Sequence, residues 1–475
     1  MNNTAFTIVG IIAHVFLIIA FLIREHRRPT ATLAWLLLLI FAPVLGIIGY
    51  WFFGARRFRR TSKKSARVAE RLAGAAPENV VDAATTEPRT RLLLRLCDRL
   101  ATSKASAGND AKLLIDGAAT YRAIIRTITD AKDHVHLEFY IIQPDEVGRG
   151  IRDRLVKKAE QGVAVRVLYD AVGSHGLPGD FWRPLNDAGG RAAAFSPIRF
   201  LNRFRSRDRI DFRNHRKIVI VDAEVAFTGG INIGREYLGL NPEFGHWRDT
   251  HIAIRGPAAS SFQRTFAADW MIAADEHLTG ERYFPSGEKP PQGDSVVQVV
   301  DSGPDQRWMS IARIYVQAMA AAADRIWFSS PYFIPDFVVE TALINAALRG
   351  VDVRILLPKK NDHRFVGFAS RSYYREMLEA GIQIYEYKRG FLHAKALLID
   401  RWLGTVGSAN MDMRSFDLNF EINAFVMSGD FVDTLAEQFL HDLTHATPVT
   451  LEAVRRTSYP RRLAQATARL LSPLL

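Results

Sequence analysis

The chain reads as an α/β protein built from a duplicated unit and preceded by an apolar two-helix hairpin, and three observations carry that reading. The stretch His215-Arg216-Lys217-Ile218-Val219-Ile220-Val221-Asp222 returns as His393-Ala394-Lys395-Ala396-Leu397-Leu398-Ile399-Asp400. A glycine turn and an asparagine follow each, Gly229-Gly230-Ile231-Asn232 and Gly407-Ser408-Ala409-Asn410, so the copies match over eighteen positions. With 13 His, 13 Lys and 30 Asp, composition alone supplies about 0.02 matches to His-x-Lys-x4-Asp, which makes two a duplication rather than a coincidence. The second observation is a strand-helix-strand pattern found in both halves, and the third is a pair of long apolar runs at the start of the chain.

Taken in order, Ala5–Ile23 and Leu33–Phe53 are apolar runs of 19 and 21 residues, each long enough to cross a hydrocarbon core of roughly 30 Å as a helix. A cleaved signal peptide is a poorer reading, because no basic region precedes the first run and no small-x-small site follows it. Three Arg lie between the runs and eight Lys or Arg lie between Arg56 and Arg71. That asymmetry puts both ends of the hairpin in the cytoplasm, with Trp35, Tyr50 and Trp51 near the headgroups. His14 is assigned no role. Ala73–Pro88, rich in Ala, Thr, Pro and Glu, reads as a linker, and folding resumes near Leu92.

His134–Ile142 reads as a strand, Ile151–Gln161 as a helix and Val163–Tyr169 as a buried strand; Arg325–Phe333, Val338–Arg349 and Val351–Leu357 repeat the series. Gly162 to Leu168 against Gly350 to Leu356 is the clearest register mark, and Pro285–Gly293 is the boundary between the repeats. The organisation expected is a hairpin over 1–54, a basic segment and linker over 55–108, repeats over 109–285 and 294–447, and a basic amphipathic tail over 448–475. The tail suits either an anionic bilayer surface or a final helix packed on the core.

Composition narrows the partners. Cys97 is the only cysteine, which excludes an intramolecular disulfide and a zinc ribbon. The net charge of +12 favours anionic partners, nucleic acid or anionic lipid.

The motif residues suit displacement at phosphorus, which needs an attacking atom and a leaving oxygen in line, with donors around the remaining oxygens. In a strand His215 and Lys217 share a face, as do His393 and Lys395. Asp222 and Asp400, seven positions beyond each His, face away and brace the site. If the repeats meet about a pseudo-twofold axis, the two His flank one phosphate with Lys217, Lys395, Asn232 and Asn410 around its equator. One His attacks while the other protonates the leaving alkoxide. A carboxylate on the other ring nitrogen keeps the attacker neutral, and Asp249 and Glu421 are the candidates. Zinc is a poorer reading, since a Lys beside each His repels a cation and no Cys joins the set.

These residues resemble the phospholipase D superfamily, whose signature is a duplicated H-x-K-x4-D followed by a G-S/G-x-N turn. Within it the chain is similar to the bacterial cardiolipin synthases, through Pro43-x-x-Gly46, Gly49–Gly54, Trp247–Ile252, Ser330–Pro335 and Leu418–Glu421. The resemblance implies two homologous α/β/α sandwich domains after a transmembrane hairpin in the bacterial inner membrane. It also implies a double displacement through a phosphohistidine, without metal or cofactor, in which two phosphatidylglycerol molecules become cardiolipin and glycerol. It places catalysis on His215, Lys217, His393 and Lys395, with Asp222 and Asp400 as motif members. Phosphate contacts fall on Asn232, Asn410 and Ser408, and support for the His on Asp249 and Glu421. The first copy has Gly230 where many superfamily members place a hydroxyl. The family habit of attacking with the N-terminal His favours His215. The alternative function is a phosphodiesterase that uses water as acceptor and acts on phospholipid; nucleic acid is not expected as a partner, since the hairpin argues against a nuclease, and the Arg cluster between Arg199 and Arg213 suits anionic lipid headgroups better than a nucleic-acid strand.

Overall fold

The computed structural model describes residues 12, 14–16, 18–21, 29–53, 79–195, 212–285 and 290–470. The chain forms two compact units, residues 1–60 with 199–212, and residues 61–198 with 213–475.

In the first unit the second apolar run is not the single helix expected over Leu33–Phe53. It forms two, α1 (Pro29–Phe41) and α2 (Pro43–Phe53), separated by a bend at Ala42. Pro43 explains the break: it has no N–H to give, its ring opposes the carbonyl four residues back, and it pushes Ala42 out of the helical region. The chain folds back there, so that Tyr50 lies edge-on to Trp35 at 5.4 Å and to Phe21 at 5.1 Å between ring centroids. Most of the first run lies outside the described residues. Among the described residues no helix is long and apolar enough to cross a membrane.

The second unit is organised by one sixteen-stranded sheet, and seven strands of each repeat form the main run of it. The first repeat supplies β1 (Ser106–Ile115), β2 (His134–Phe139), β3 (Ala164–Asp170), β4 (Arg191–Phe195), β5 (Ile218–Val221), β6 (Val225–Gly229) and β7 (Thr250–Arg255). The second supplies β8 (Ser295–Ser302), β9 (Arg325–Ser329), β10 (Asp352–Pro358), β11 (Gln383–Tyr387), β12 (Ala396–Ile399), β13 (Leu403–Gly407) and β14 (Asn419–Met427). Their order is β11-β10-β9-β12-β13-β14-β8-β1-β7-β6-β5-β2-β3-β4, extended beyond β11 by the short strand Ala446–Pro448. The sequence of strands is the same read outward from either side of the β8·β1 junction, which gives the sheet a pseudo-twofold centre. There β1 and β8 run antiparallel, Ser106 opposite Val297 and Asn109 opposite Ser295, with an irregular step between.

The register mark in the sequence has a local cause. Helices Glu146–Glu160 and Phe337–Leu348 each end on a glycine with positive φ, Gly162 at 86° and Gly350 at 92°. The next N–H turns back to the helix in both copies, Val163 to the Lys158 carbonyl and Val351 to the Ala346 carbonyl. An L side chain resists that conformation, so the glycine stops the helix and the Val that follows leads into the buried strand. Asp145 and Asp336 open the same helices by accepting first-turn N–H groups. The first helix therefore starts at Glu146, five residues before the sequence reading, and Pro331 helps end β9 at Ser329 rather than Phe333.

Each repeat has a core, but each core borrows from outside it. Leu93 and Cys97, on the helix Pro88–Leu100, pack with Ile314, Ile326 and Phe425 of the second repeat. Both lie just beyond Leu92, where folding is expected to resume, within the segment 55–108. Phe391 of the second repeat packs with Trp247 and Val219 of the first. The C-terminal helix Tyr459–Leu470 packs on helix Arg364–Arg371 and buries Ala468. Its Arg469 lies over the Tyr373 ring at 4.4 Å, while Tyr459, Leu463 and Leu470 stay exposed.

Candidate active site

The site is assembled where the repeats exchange short strands. Arg213–Asn214, just before His215, runs parallel to Asn419–Phe420, just before Glu421. Gly390–Leu392, just before His393, runs parallel to His246–Arg248, just before Asp249. The His215 N–H donates to the Phe420 carbonyl at 2.9 Å and the His393 N–H to the Arg248 carbonyl at 2.8 Å. Backbone pairing thus sets each imidazole beside the carboxylate of the opposite repeat. His215 Nδ1 lies 3.0 Å from both Glu421 oxygens, and His393 Nδ1 lies 2.7 Å from Asp249 Oδ2.

Those contacts fix the tautomers. Burial raises both carboxyls, but His393 and Lys395 hold Asp249 below its ordinary value, and His215 and Lys217 do the same for Glu421. An ionised carboxylate only accepts, so each Nδ1 carries the proton and each Nε2 keeps its lone pair. Burial lowers both imidazoles to about 4, against the opposing pull of Glu421 on His215 and of Asp249 on His393. Both His are neutral at pH 7.

The lysines are more unusual. Lys217 and Lys395 are buried, and each Nζ donates to the carbonyl of its own motif His at 2.7 Å. Burial, opposed by Glu421 and reinforced by Lys395, brings Lys217 down to about 7. Burial, opposed by Asp249 and Glu421, brings Lys395 to about 8. The two repeats act on each other throughout, since Lys395 also lowers His215 and Lys217 lowers His393. This is a desolvated pocket that disfavours its own positive charge and is stabilised by an arriving anion.

The remaining motif residues divide. Asp222 and Asp400, each with positive φ, lie in the turns after β5 and β12. Asp222 accepts the N–H groups of Lys132, Asp133 and His134. Asp400 accepts those of Ala323, Asp324 and Arg325. Their carboxylates hold the entry to β2 and β9. Asn232, expected on the phosphate, has both ends occupied: its Nδ2 donates to the Tyr237 hydroxyl at 2.9 Å and its Oδ1 accepts the Ile141 N–H at 3.1 Å. Asn410 differs, for its Oδ1 is buried without a partner.

Ser408 is also placed differently from the phosphate contact expected. Its hydroxyl donates to Glu421 Oε2 at 2.5 Å and accepts the Ile422 N–H at 2.9 Å, so it steadies the carboxylate behind His215. At the equivalent place in the first repeat a Cβ on Gly230 would lie 2.1 Å from Asp249 Oδ1. Serine with glutamate in one copy answers glycine with aspartate in the other.

Sequence reasoning missed several residues around the pair. The Tyr140 ring lies edge-on to His215 at 5.1 Å with Lys217 Nζ 5.5 Å from its centroid. Trp247 lies 5.2 Å from the His393 ring and its Nε1 donates to Asp249 Oδ2 at 3.4 Å. Asn419 Nδ2 donates to Glu421 Oε1 at 3.2 Å. Buried Arg248 pairs with Asp442 at 2.7 Å, and buried Arg216 pairs with Asp269 and donates to the Glu421 carbonyl. Trp247, Arg248 and Asn419 stood in stretches that carry the resemblance, and only their partners were hidden. Tyr140 left no signal beyond its place at the end of β2.

Comparison with known proteins agrees with this architecture. A model described as "Cardiolipin synthase, PLD-like domain" matches residues 124–270 and 315–443, and one described as "Phospholipase_D-nuclease N-terminal" matches 9–54. Cardiolipin synthase 2 of Bacillus cereus is 43% identical over 97% of this chain and 90% of its own length. The cardiolipin synthase of Alkalihalophilus pseudofirmus is 41% identical over 95% and 90%. Among solved structures, the phosphatidylserine synthase of Haemophilus influenzae shares the fold, with a TM-score of 0.61 at 14% identity over 87% of this chain and all of that one. The chain belongs to the cardiolipin synthase family, whose phospholipase D-like domain it carries twice.

Proposed function

We propose that this protein joins two phosphatidylglycerol molecules into cardiolipin and glycerol through a phosphohistidine, held at the bacterial inner membrane by its apolar N-terminal segment with the catalytic unit in the cytoplasm. The crossed His–carboxylate pairs, closed over two buried lysines, carry the reading. Two neutral imidazoles with free Nε2 atoms supply one nucleophile and one proton carrier, and two desolvated ammonium groups supply the charge that a phosphodiester lacks.

In the first step Nε2 of one His, His215 by the family habit, attacks phosphorus and the bond to the glycerol oxygen breaks. The other His gives that alkoxide its proton. Burial holds both imidazoles near 4, and the negative charge of a diester beside this His favours its protonated form, so the His takes up its proton as the diester binds. In the second step the same His removes the proton from the hydroxyl of a second phosphatidylglycerol, whose oxygen displaces His215 from phosphorus. Water near 55 M competes, and positioning of the lipid hydroxyl offsets it, with effective molarities of about 10⁵ M or more available in principle. The lysines and Asn410, whose Oδ1 is buried without a partner, are the groups proposed to meet the phosphate. Asn232 is proposed to keep the turn in place through Tyr237.

In vesicles containing phosphatidylglycerol, the full-length protein is expected to release cardiolipin and glycerol in near-equal amounts, and added glycerol is expected to drive the reaction backward. Release of mostly phosphatidic acid, unaffected by glycerol, is the result for a hydrolase and contradicts the synthase reading.

A further inference from the structure

We propose that Pro29–Phe53 is a re-entrant hairpin, which enters and leaves the bilayer through one leaflet, rather than a membrane span. This rests on the membrane anchoring proposed above and changes the path of the chain within it.

Length gives the first argument. Helices α1 and α2 hold 13 and 11 residues, about 20 Å and 16 Å at 1.5 Å per residue. Neither crosses roughly 30 Å of hydrocarbon, although each reaches past its middle.

Packing gives the second. A Cβ on Gly46 would lie 2.9 Å from the Leu38 carbonyl oxygen, and one on Gly49 would lie 3.4 Å from the Trp35 ring. Backbones approach this closely only where a small residue faces the partner helix, the arrangement by which helices associate in lipid. The pairing of 46 with 38 and of 49 with 35 is that of antiparallel neighbours, so the chain reverses at Ala42-Pro43. Ala42 N–H still reaches the Leu38 carbonyl at 2.9 Å, Gly46 N–H the Ala42 carbonyl at 2.7 Å, and Pro43 has no N–H to leave unpaired. Such a turn leaves fewer donors in need of water than an open loop does.

The tip gives the third. A helical hairpin in water turns through polar residues, but this one turns through Ile40-Phe41-Ala42-Pro43-Val44-Leu45. Phe41, Val44 and Leu45 are 81%, 69% and 66% exposed. Leu33, Leu37 and Ile47 extend the same exposed apolar surface along both helices. Acyl chains are the partner this surface fits.

Charge gives the fourth. The segment before α1 holds Arg24, Arg27 and Arg28, and the segment after α2 holds eight basic residues between Arg56 and Arg71. Two full spans leave the three Arg outside. A re-entrant hairpin places both basic flanks on the cytoplasmic side, where the charge rule puts them.

Single cysteines distinguish the paths in the full chain expressed in bacteria, starting from Cys97→Ala, which removes the only thiol. Thr30→Cys and Thr61→Cys are treated with an impermeant maleimide in intact cells and again after lysis. The expected result is that both are protected in intact cells and both react after lysis. Reaction of Thr30→Cys alone in intact cells overturns the proposal and restores a second span. Resistance to carbonate extraction, measured on the same membranes, reports the anchoring separately, so release of the protein by carbonate refutes the anchor and not merely the path.

Discussion

The two buried lysines concentrate the functional cost of the site. Lys217 is held near 7 against an ordinary 10.5, a penalty on the charged form of several kcal/mol by order of magnitude. The sign follows from linkage: below pH 7 the folded chain carries the full penalty of a buried ammonium, and between 7 and 10.5 it sheds the proton that the unfolded chain still holds. Lys217→Met is therefore expected to melt about 5 °C or more above the parent at pH 7, with the difference shrinking as pH approaches 10.5. The same variant is expected to lose at least about 10²-fold in kcat, since a charge aimed at the phosphate is gone. Thermal unfolding at two pH values with a turnover assay checks both, and a variant less stable than the parent at pH 7 contradicts the electrostatic account. Histidine adds an acid limit. With both imidazoles lowered to about 4 from 6.5, the unfolded state binds more protons between those values, so stability is expected to fall as pH drops from 6.5 towards 4.

At the scale of elements, the two copies solve one problem with different pairs. Ser408→Ala leaves Glu421 Oε2 without its hydroxyl donor, and a loss of about 10-fold to 100-fold in kcat is expected, as for other residues that orient a catalytic ligand. Gly230→Ser brings a Cβ against Asp249 Oδ1, 2.1 Å away if nothing moves, and is expected to cost more. Adding Asp249→Glu recreates the pair used by the second copy and is expected to recover part of the loss. Kinetics of the two single variants and the double variant measure it; a double variant worse than the product of the singles contradicts the equivalence. The strands that hold these residues were legible because β-branched runs, the Gly162 and Gly350 stops and the His-x-Lys spacing are local signals. The use of Ser408 and Asn232 was not. A hydroxyl or an amide after a glycine turn reads as a phosphate contact until its partners, Glu421 and Tyr237, come from strands or turns folded onto it. The second apolar run erred in the same way: hydropathy counted 21 apolar residues, while Pro43 and Gly46, both visible, decided how they fold.

The molecule as a whole turns a duplication into one site. A sheet that reads the same outward from β8·β1 sets β5 and β12, which follow the two His motifs, at equivalent places on either side of that junction, a symmetry in keeping with the repeat in the sequence. The exchange of Arg213–Asn214 and Gly390–Leu392 between repeats was beyond reach of pattern, because two- and three-residue parallel pairings carry no periodicity. Yet that exchange makes each imidazole depend on the carboxylate of the other repeat, so neither repeat contains a complete His pair. The most direct test traps the intermediate. Full-length protein incubated with phosphorus-labelled phosphatidylglycerol and quenched in alkali is expected to retain label on His215. His393→Ala is expected to accumulate that label, and Glu421→Gln to slow its appearance more than Asp249→Asn does. Label that survives His215→Ala and vanishes in His393→Ala reverses the roles of the two repeats, and cardiolipin formed with no trapped label in any variant contradicts the phosphohistidine itself.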